Sequence, residues 1–268
     1  AMLAGDPLVA KTDNASVIAN ILGTILFKKD LIAYCEASEY GLKFTVQKSN
    51  ALSADVYLRA EVFKEYVCTR THNFGLNLSI LLDCMNMFGP SASAVALEMS
   101  YEGRGSPLQI LLEENGAQSR CDLSTHDAQD PSDFRFRSCD IVGKMIMHAP
   151  ALKEALQELA WWGESIEFHI GPTAPFLLLV TSGSYGECEL EFPEDSEVFD
   201  VFDCPTARVE RYKYSLLQSA VKAIGSADKV AIRVNAAGML SLQVMLRDES
   251  PHISFAEFLV CAEEELED

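Results

Sequence analysis

The chain has 268 residues, and 21 Lys plus Arg against 40 Asp plus Glu give it a formal net charge of −19. A hydrophobic fraction of 49% and a mean hydropathy of +0.07 supply enough apolar material for a core and exclude intrinsic disorder. The length suits one large or two small domains, and a pI near 4.6 argues against a protein that coats DNA with its own surface.

In chain order, the pattern predicts four helices, each followed by two short strands around a tight connection. The first helix covers 14–27, with strands 31–35 and 42–46 joined at Tyr40-Gly41. A strand over 51–60 follows. The second helix covers 77–88 and stops at Gly89-Pro90, and its strands 94–101 and 107–113 are joined by Glu102-Gly-Arg-Gly105. A strand over 117–123 closes this half. The third helix, 151–162, ends at Gly163 and leads to strands 165–170 and 176–181, joined by Gly171-Pro172. The segment 185–192 contains Cys188-Glu-Leu-Glu-Phe192, the period-2 alternation of a strand with one wet face. The fourth helix, 215–224, ends at Gly225, and strands 229–235, 239–247 and 252–260 follow.

Helix starts recur about every 60 to 70 residues. Between Leu123 and Phe134 the chain is polar and aperiodic (Ser124-Thr-His-Asp-Ala-Gln-Asp-Pro-Ser-Asp133), so it reads as a linker between two similar halves. This predicts an N-terminal domain over 8–122, a connector over 123–134, a C-terminal domain over 135–261 and an acidic tail over 262–268.

Each helix carries a polar side opposite its apolar one. On the first, Ser16, Asn20 and Thr24 share a face; on the second, Ser79, Asp83 and Asn86 do. Lys153 and Gln157 line up on the third, with Glu154 and Glu158 beside them, and Gln218, Ser219 and Lys222 form the polar side of the fourth. Asn14-Ala-Ser and Asn77-Leu-Ser match the glycosylation pattern but sit at helix starts, where they read as caps.

Patterns for chemistry are sparse. There is no G-x-S-x-G elbow, H-E-x-x-H or Walker-type loop, and Gly103-Arg-Gly105 joins two strands rather than a strand and a helix. The five histidines have no ligand-spaced partners, and the eight cysteines include no C-x-x-C pair and read as reduced core residues. Asp195-Ser-Glu197 is a D-x-E, the kind of fragment a metal-dependent nuclease would need, but it lies in a Pro-flanked loop. No stretch approaches the ~18–20 apolar residues of a membrane span, and no basic region precedes an apolar core at the N-terminus, so neither membrane nor secretory signal is expected.

Three segments carry a resemblance: Asn77-Leu-Ser-Ile-Leu-Leu-Asp-Cys-Met-Asn-Met-Phe-Gly89, Tyr101-Glu-Gly-Arg-Gly-Ser-Pro-Leu-Gln-Ile-Leu-Leu-Glu-Glu114 and Arg211-Tyr-Lys-Tyr-Ser-Leu-Leu217. With the helix-plus-strand-pair repeat, they resemble the Rad-one-type subunit of the heterotrimeric checkpoint sliding clamp, a relative of proliferating-cell nuclear antigen. The resemblance runs from about Val9 to Val260. It implies an α+β, two-domain clamp fold with antiparallel sheets outside and four helices on a concave face. It implies a nuclear, non-catalytic subunit, without cofactor or metal, that encircles duplex DNA and is loaded at damage or stalled forks. Its partners would be Rad-nine-type and Hus-one-type subunits, a clamp loader, and checkpoint and repair proteins.

By the same resemblance, Asn20, Thr24, Lys28, Asp83, Asn86, Lys153, Gln157 and Lys222 would face DNA, with Lys29 beside Lys28. Related clamps carry lysines where this chain has Asp83 and Asn86, which weakens a DNA contact by this subunit alone. Subunit edges would fall at 108–113 (Leu108, Ile110, Leu112) and 185–191 (Tyr185, Cys188, Leu190), and a client pocket near Leu52, Leu123, Phe258 and Val260. The competing readings are a metal-dependent 3′-5′ exonuclease, a replication-type homotrimeric clamp and an acidic scaffold that never encloses DNA.

Overall fold

The computed structural model describes residues 7–89, 94–127, 130–193, 195–246 and 254–263. Among them, the first half of the chain forms β1 (Leu8–Thr12), α1 (Ala15–Gly23), β2 (Ile32–Ser38), β3 (Gly41–Lys48), β4 (Leu52–Arg59), β5 (Glu65–Val67), β6 (His72–Asn77), α2 (Leu78–Met85), β7 (Ala96–Tyr101), β8 (Leu108–Glu114) and β9 (Ala117–Leu123). The second half repeats that order element for element: β10 (Ile141–His148), α3 (Ala149–Leu159), β11 (Ser165–Ile170), β12 (Leu177–Gly183), β13 (Gly186–Phe192), β14 (Phe199–Asp203), β15 (Arg208–Lys213), α4 (Tyr214–Ile224), β16 (Ala227–Asn235), β17 (Leu240–Leu246) and β18 (Ser254–Val260).

The strand orders repeat as well. The first half runs β5-β1-β7-β8-β9 and β4-β3-β2-β6; the second runs β14-β10-β16-β17-β18 and β13-β12-β11-β15. Position by position these are the same two arrangements. The described residues divide into two compact units, 7–46 with 55–132 and 254, and 47–54 with 133–246 and 255–263.

Local chemistry sets the helix ends. Asn14 caps α1 by accepting from the Ser16 amide at 3.1 Å, and Asn77 caps α2 by accepting from the Ile80 amide at 3.2 Å. Both sequons therefore serve as caps. Past Gly23 the bonds shorten to i→i−3, with Thr24 N–H on the Ile21 carbonyl and Ile25 N–H on the Leu22 carbonyl. The apolar period continues to Phe27, but the helix has already tightened into a turn. Pro150 sits in the first turn of α3, where its missing N–H costs nothing.

The sheets alternate buried and wet residues, as in β7 and β11. Tyr212 of β15 is fully buried; its hydroxyl donates to the Gly238 carbonyl at 2.8 Å, and its ring meets Phe168 edge-on at 5.3 Å. The turn between β7 and β8 uses Gly103 at φ +132° and Gly105 at φ +85°, conformations side chains resist.

Six strands lie outside the predicted elements: β1, β5, β6, β10, β14 and β15. Four of them, β1, β6, β10 and β15, lead into the four helices. The second half of the predicted strand 239–247 ends at Leu246, and Arg247, His252 and Ile253 lie outside the described residues, as do Pro90 and the tail beyond Glu263. Three cysteines, Cys35, Cys68 and Cys204, are buried and the other five are half-buried; all eight are free thiols.

Candidate nucleic-acid face and sheet edges

In the second compact unit, α3 packs beside α4. Lys153 and Gln157 of α3 and Gln218, Val221 and Lys222 of α4 line one shallow cleft with Tyr214, Gly225 and Ser226. Lys153 lies across Gly225: a Cβ there would sit 3.1 Å from the Lys153 Nζ. Lys48 reaches α4 from another part of the chain, its Nζ donating to the Ser215 carbonyl in the first turn of α4 at 3.0 Å, though it is not one of the cleft-lining residues. Sequence reasoning missed Lys48, because only the fold brings residue 48 next to residue 215. Glu154 and Glu158 turn away from the cleft, toward Trp161 and Trp162.

In the first unit α1 packs beside α2, and the two helices carry a single ionised residue, Asp83. Asn20, Asp83 and Asn86 are exposed, and Asn86 uses its side-chain amide to donate to the Leu82 carbonyl at 2.9 Å. Lys28 and Lys29 are exposed in the turn after α1, off the helix. Thr24 does not belong to an exposed face. It is 3% exposed, and its hydroxyl donates to the Ile21 carbonyl at 2.6 Å. Ser219 is likewise buried, at 7%. Both sit at the margin of the polar stripe, where small hydroxyl residues pack inward.

One of the two expected edges differs from the structure. β8 is not an edge: it pairs with β7 on one side and β9 on the other, and Leu108, Ile110 and Leu112 point into the core. The outer strand is β9. In the second unit β13 is the outer strand, paired among the described residues with β12 alone, with Cys188 and Leu190 half-buried and Tyr185 84% exposed at the hairpin tip. β9 and β13 have the same length and the same sequence of exposed and covered positions.

Leu52, Leu123, Phe258 and Val260 are all buried, Leu123 at 8% and the other three at 0%. They are core residues, so they cannot line an open pocket; along β18 the outward positions are Phe255, Glu257 and Leu259. The connector is not free chain either. His126 exchanges main-chain bonds with Gly75 at 2.9 and 3.0 Å, covering part of β6. Arg104 forms a two-pronged bond to Asp127 at 2.7 and 2.5 Å, which holds that carboxyl below its ordinary range.

Asp195 and Glu197 are exposed loop residues. Among the described residues, no three His, Cys, Asp or Glu side chains come together in a way that could hold a metal ion. Elsewhere on this unit, Arg211, Glu167 and His169 form a row on the β11/β15 face. Arg211 and His169 both donate to Glu167, and the guanidinium above all pulls its carboxyl below the usual range.

The model of the family described as Repair protein Rad1/Rec1/Rad17 matches residues 7–246. The chain belongs to that family. It is 37% identical to the cell cycle checkpoint protein RAD1 of Mus musculus over 263 residues, covering 97% of this chain and 93% of the mouse protein. A more distant relative, the DNA repair exonuclease REC1 of Mycosarcoma maydis, is 24% identical over 198 residues, covering 60% of this chain and 42% of its own length. Among solved structures, PCNA from Thermococcus kodakaraensis superposes with a TM-score of 0.78 at 19% identity, covering 96% of this chain and all of that one. This family member therefore has the two-part, antiparallel α+β fold of PCNA, and the duplicated strand order is that fold's internal repeat.

Proposed function

We propose that this Rad1-family chain is a non-catalytic subunit of a heterotrimeric checkpoint clamp that encircles duplex DNA and serves as a platform for checkpoint and repair proteins in the nucleus. The observation that carries this reading is family membership across 7–246 combined with the PCNA fold over nearly the whole chain. A topological link needs no tight grip, so few phosphate contacts suffice and a weak field permits sliding. Lys153, Gln157, Lys222 and Lys48 are the candidates for the DNA-facing surface, with Asn20, Lys28, Asp83 and Asn86 a weaker contribution from the first unit. The proposed domains are 8–122 and 135–261, joined by the connector 123–134.

In this reading the partners are a Rad-nine-type subunit, a Hus-one-type subunit and a dedicated loader. The test is retention on closed circular DNA by the complex of the three subunits after loading. Release on linearisation is expected; retention that ignores the topology of the DNA refutes enclosure. The exonuclease named among the relatives supplies the second reading. Magnesium-dependent digestion by pure protein, abolished by Asp195→Ala, would support it over the clamp.

A further inference from the structure

Two of the free thiols meet although they lie far apart in the sequence. Cys84 stands on α2 and Cys121 on β9, and both are half-buried. The Cys121 side chain is close enough to be the hydrogen-bond partner of the Cys84 thiol. The backbone explains the meeting. β9 alternates, and its covered positions are Ser119, Cys121 and Leu123. In register these stand opposite Leu112, Ile110 and Leu108 of β8, whose side chains are in the core, so Cys121 lies on the covered face of the sheet, and α2 packs against β9.

One step further along both elements, the contact is repeated. Met87 follows Cys84 by three positions and shares its side of the helix; Ser119 precedes Cys121 by two and shares its side of the strand. The Ser119 hydroxyl donates to the Met87 sulfur at 2.8 Å. The turn that ends α2 holds Met87, whose N–H donates to the Cys84 carbonyl at 3.2 Å. The 84–121 and 87–119 contacts are thus two rungs of one helix-on-strand packing, inside the first compact unit.

Burial first, and then the neighbouring thiol, push the Cys84 thiol up to about 11, so at neutral pH it is protonated and a weak nucleophile. Such a pair reacts slowly, which suits a site that records sustained oxidant rather than a catalytic dithiol. Cys35 also senses Cys68, but both are buried, out of reach of an oxidant dissolved in water.

We propose that Cys84 and Cys121 form a reversible oxidation site, which hydrogen peroxide converts to a disulfide tying α2 to the outer strand β9. The balance is two thiols to one peroxide. One sulfur attacks a peroxide oxygen, giving a sulfenic acid and one water; the second sulfur then displaces the hydroxyl, which leaves as a second water with that thiol's proton, and the S–S bond forms. The two sulfurs lose two electrons in all, and the two peroxide oxygens gain them. A dithiol reductant reverses the bond by exchange. The site needs only the fold of the first unit and does not rest on the clamp reading.

The test treats the full chain with hydrogen peroxide, blocks remaining thiols with N-ethylmaleimide, isolates the monomer on a non-reducing gel and maps its peptides by mass spectrometry. A peptide linking Cys84 to Cys121 should account for most of the disulfide in the monomer and vanish on reduction with dithiothreitol. Cys84→Ser and Cys121→Ser should each abolish it. The same treatment of the wild-type chain in concentrated urea is the comparison, and it needs no variant to fold. With eight thiols free to meet along an open chain, the 84–121 share should fall at least ~5-fold. If the folded chain yields no 84–121 link, or no larger a share than the unfolded chain, the inference is overturned.

Discussion

Neutralising the α3/α4 cleft should change the salt dependence of DNA retention by a calculable amount. Lys153 and Lys222 share the cleft, and the Lys153 side chain lies across Gly225. Each phosphate neutralised by a lysine contributes about −0.9 to the slope of log affinity against log salt. Lys153→Gln with Lys222→Gln should therefore reduce the slope by about 1.8, equivalent to about 12-fold less affinity loss for a fourfold rise in salt. Adding Lys48→Gln should take the reduction to about 2.7, if its position near the Ser215 carbonyl brings it to the same phosphates. The assay is binding of the assembled complex to a duplex across a salt series, with light scattering to confirm that the subunits stay together. Glutamine keeps the length of the side chain and removes only the charge. A slope that does not move while the complex remains whole would refute the placement of DNA against this cleft.

Three other changes test the fold beneath it. Thr24→Val removes a buried hydroxyl bonded to the Ile21 carbonyl and should cost about 1 kcal/mol by urea unfolding while leaving the salt slope untouched; a changed slope would return Thr24 to the DNA-facing surface. Gly183→Ala forces a methyl into the Trp162 carbonyl and should cost about 3 kcal/mol, with fluorescence of the two tryptophans reporting the shift; a neutral outcome would mean the hairpin and the α3 end are not in contact. Glu167, its carboxyl held below the ordinary value of 4.5 first by Arg211, contributes stability that is fully present above that value and lost as the pH falls through the lower folded value. Glu167→Gln should flatten the acid side of a stability–pH curve measured by urea unfolding, and an unchanged curve would show that the Arg211–Glu167 pair is not formed.

The helices were legible because their signals are local. Asn14 and Asn77 cap, Gly225 stops α4, and the apolar positions recur at helical spacing. The strands that lead into them were not: His72–Asn77 and Arg208–Lys213 are short, polar and paired across long sequence separations, so nothing nearby marks them. Of the two expected edges, 185–191 does fall on the outer strand β13, whereas 108–113 is an inner strand. The resemblance alone put an edge at 108–113; the apolar alternation of Leu108, Ile110 and Leu112 itself belongs to an inner strand facing the core. β9, with Gln118, Arg120 and Asp122 outward, carries the more polar signature of an edge. The pocket at Leu52, Phe258 and Val260 also came from the resemblance alone, and sequence could not check it, since an apolar side chain on a strand is apolar whether it lines a pocket or fills a core. The α3/α4 cleft was partly legible, as Lys153 and Gln157 share a helical face, but its pairing with Lys222 and Lys48 depends on tertiary contacts.

A net charge of −19 describes no surface that a partner meets, because fields at physiological salt decay over about 8 Å. What a phosphate or a neighbouring subunit senses is the local sum. On α1 and α2 that sum comes from Asp83 alone, with Lys28 and Lys29 exposed in the turn that follows α1. In the α3/α4 cleft the charged lining residues are Lys153 and Lys222, so the local sum is positive. Along β13 it is negative at every outward position. Acidic residues on an edge strand also repel the same edge of another copy, which suppresses sheet-to-sheet aggregation without any cost to the core. The acidity that at first argues against DNA is thus compatible with the proposed enclosure, because the positive α3/α4 cleft and the acidic β13 edge are separate local fields.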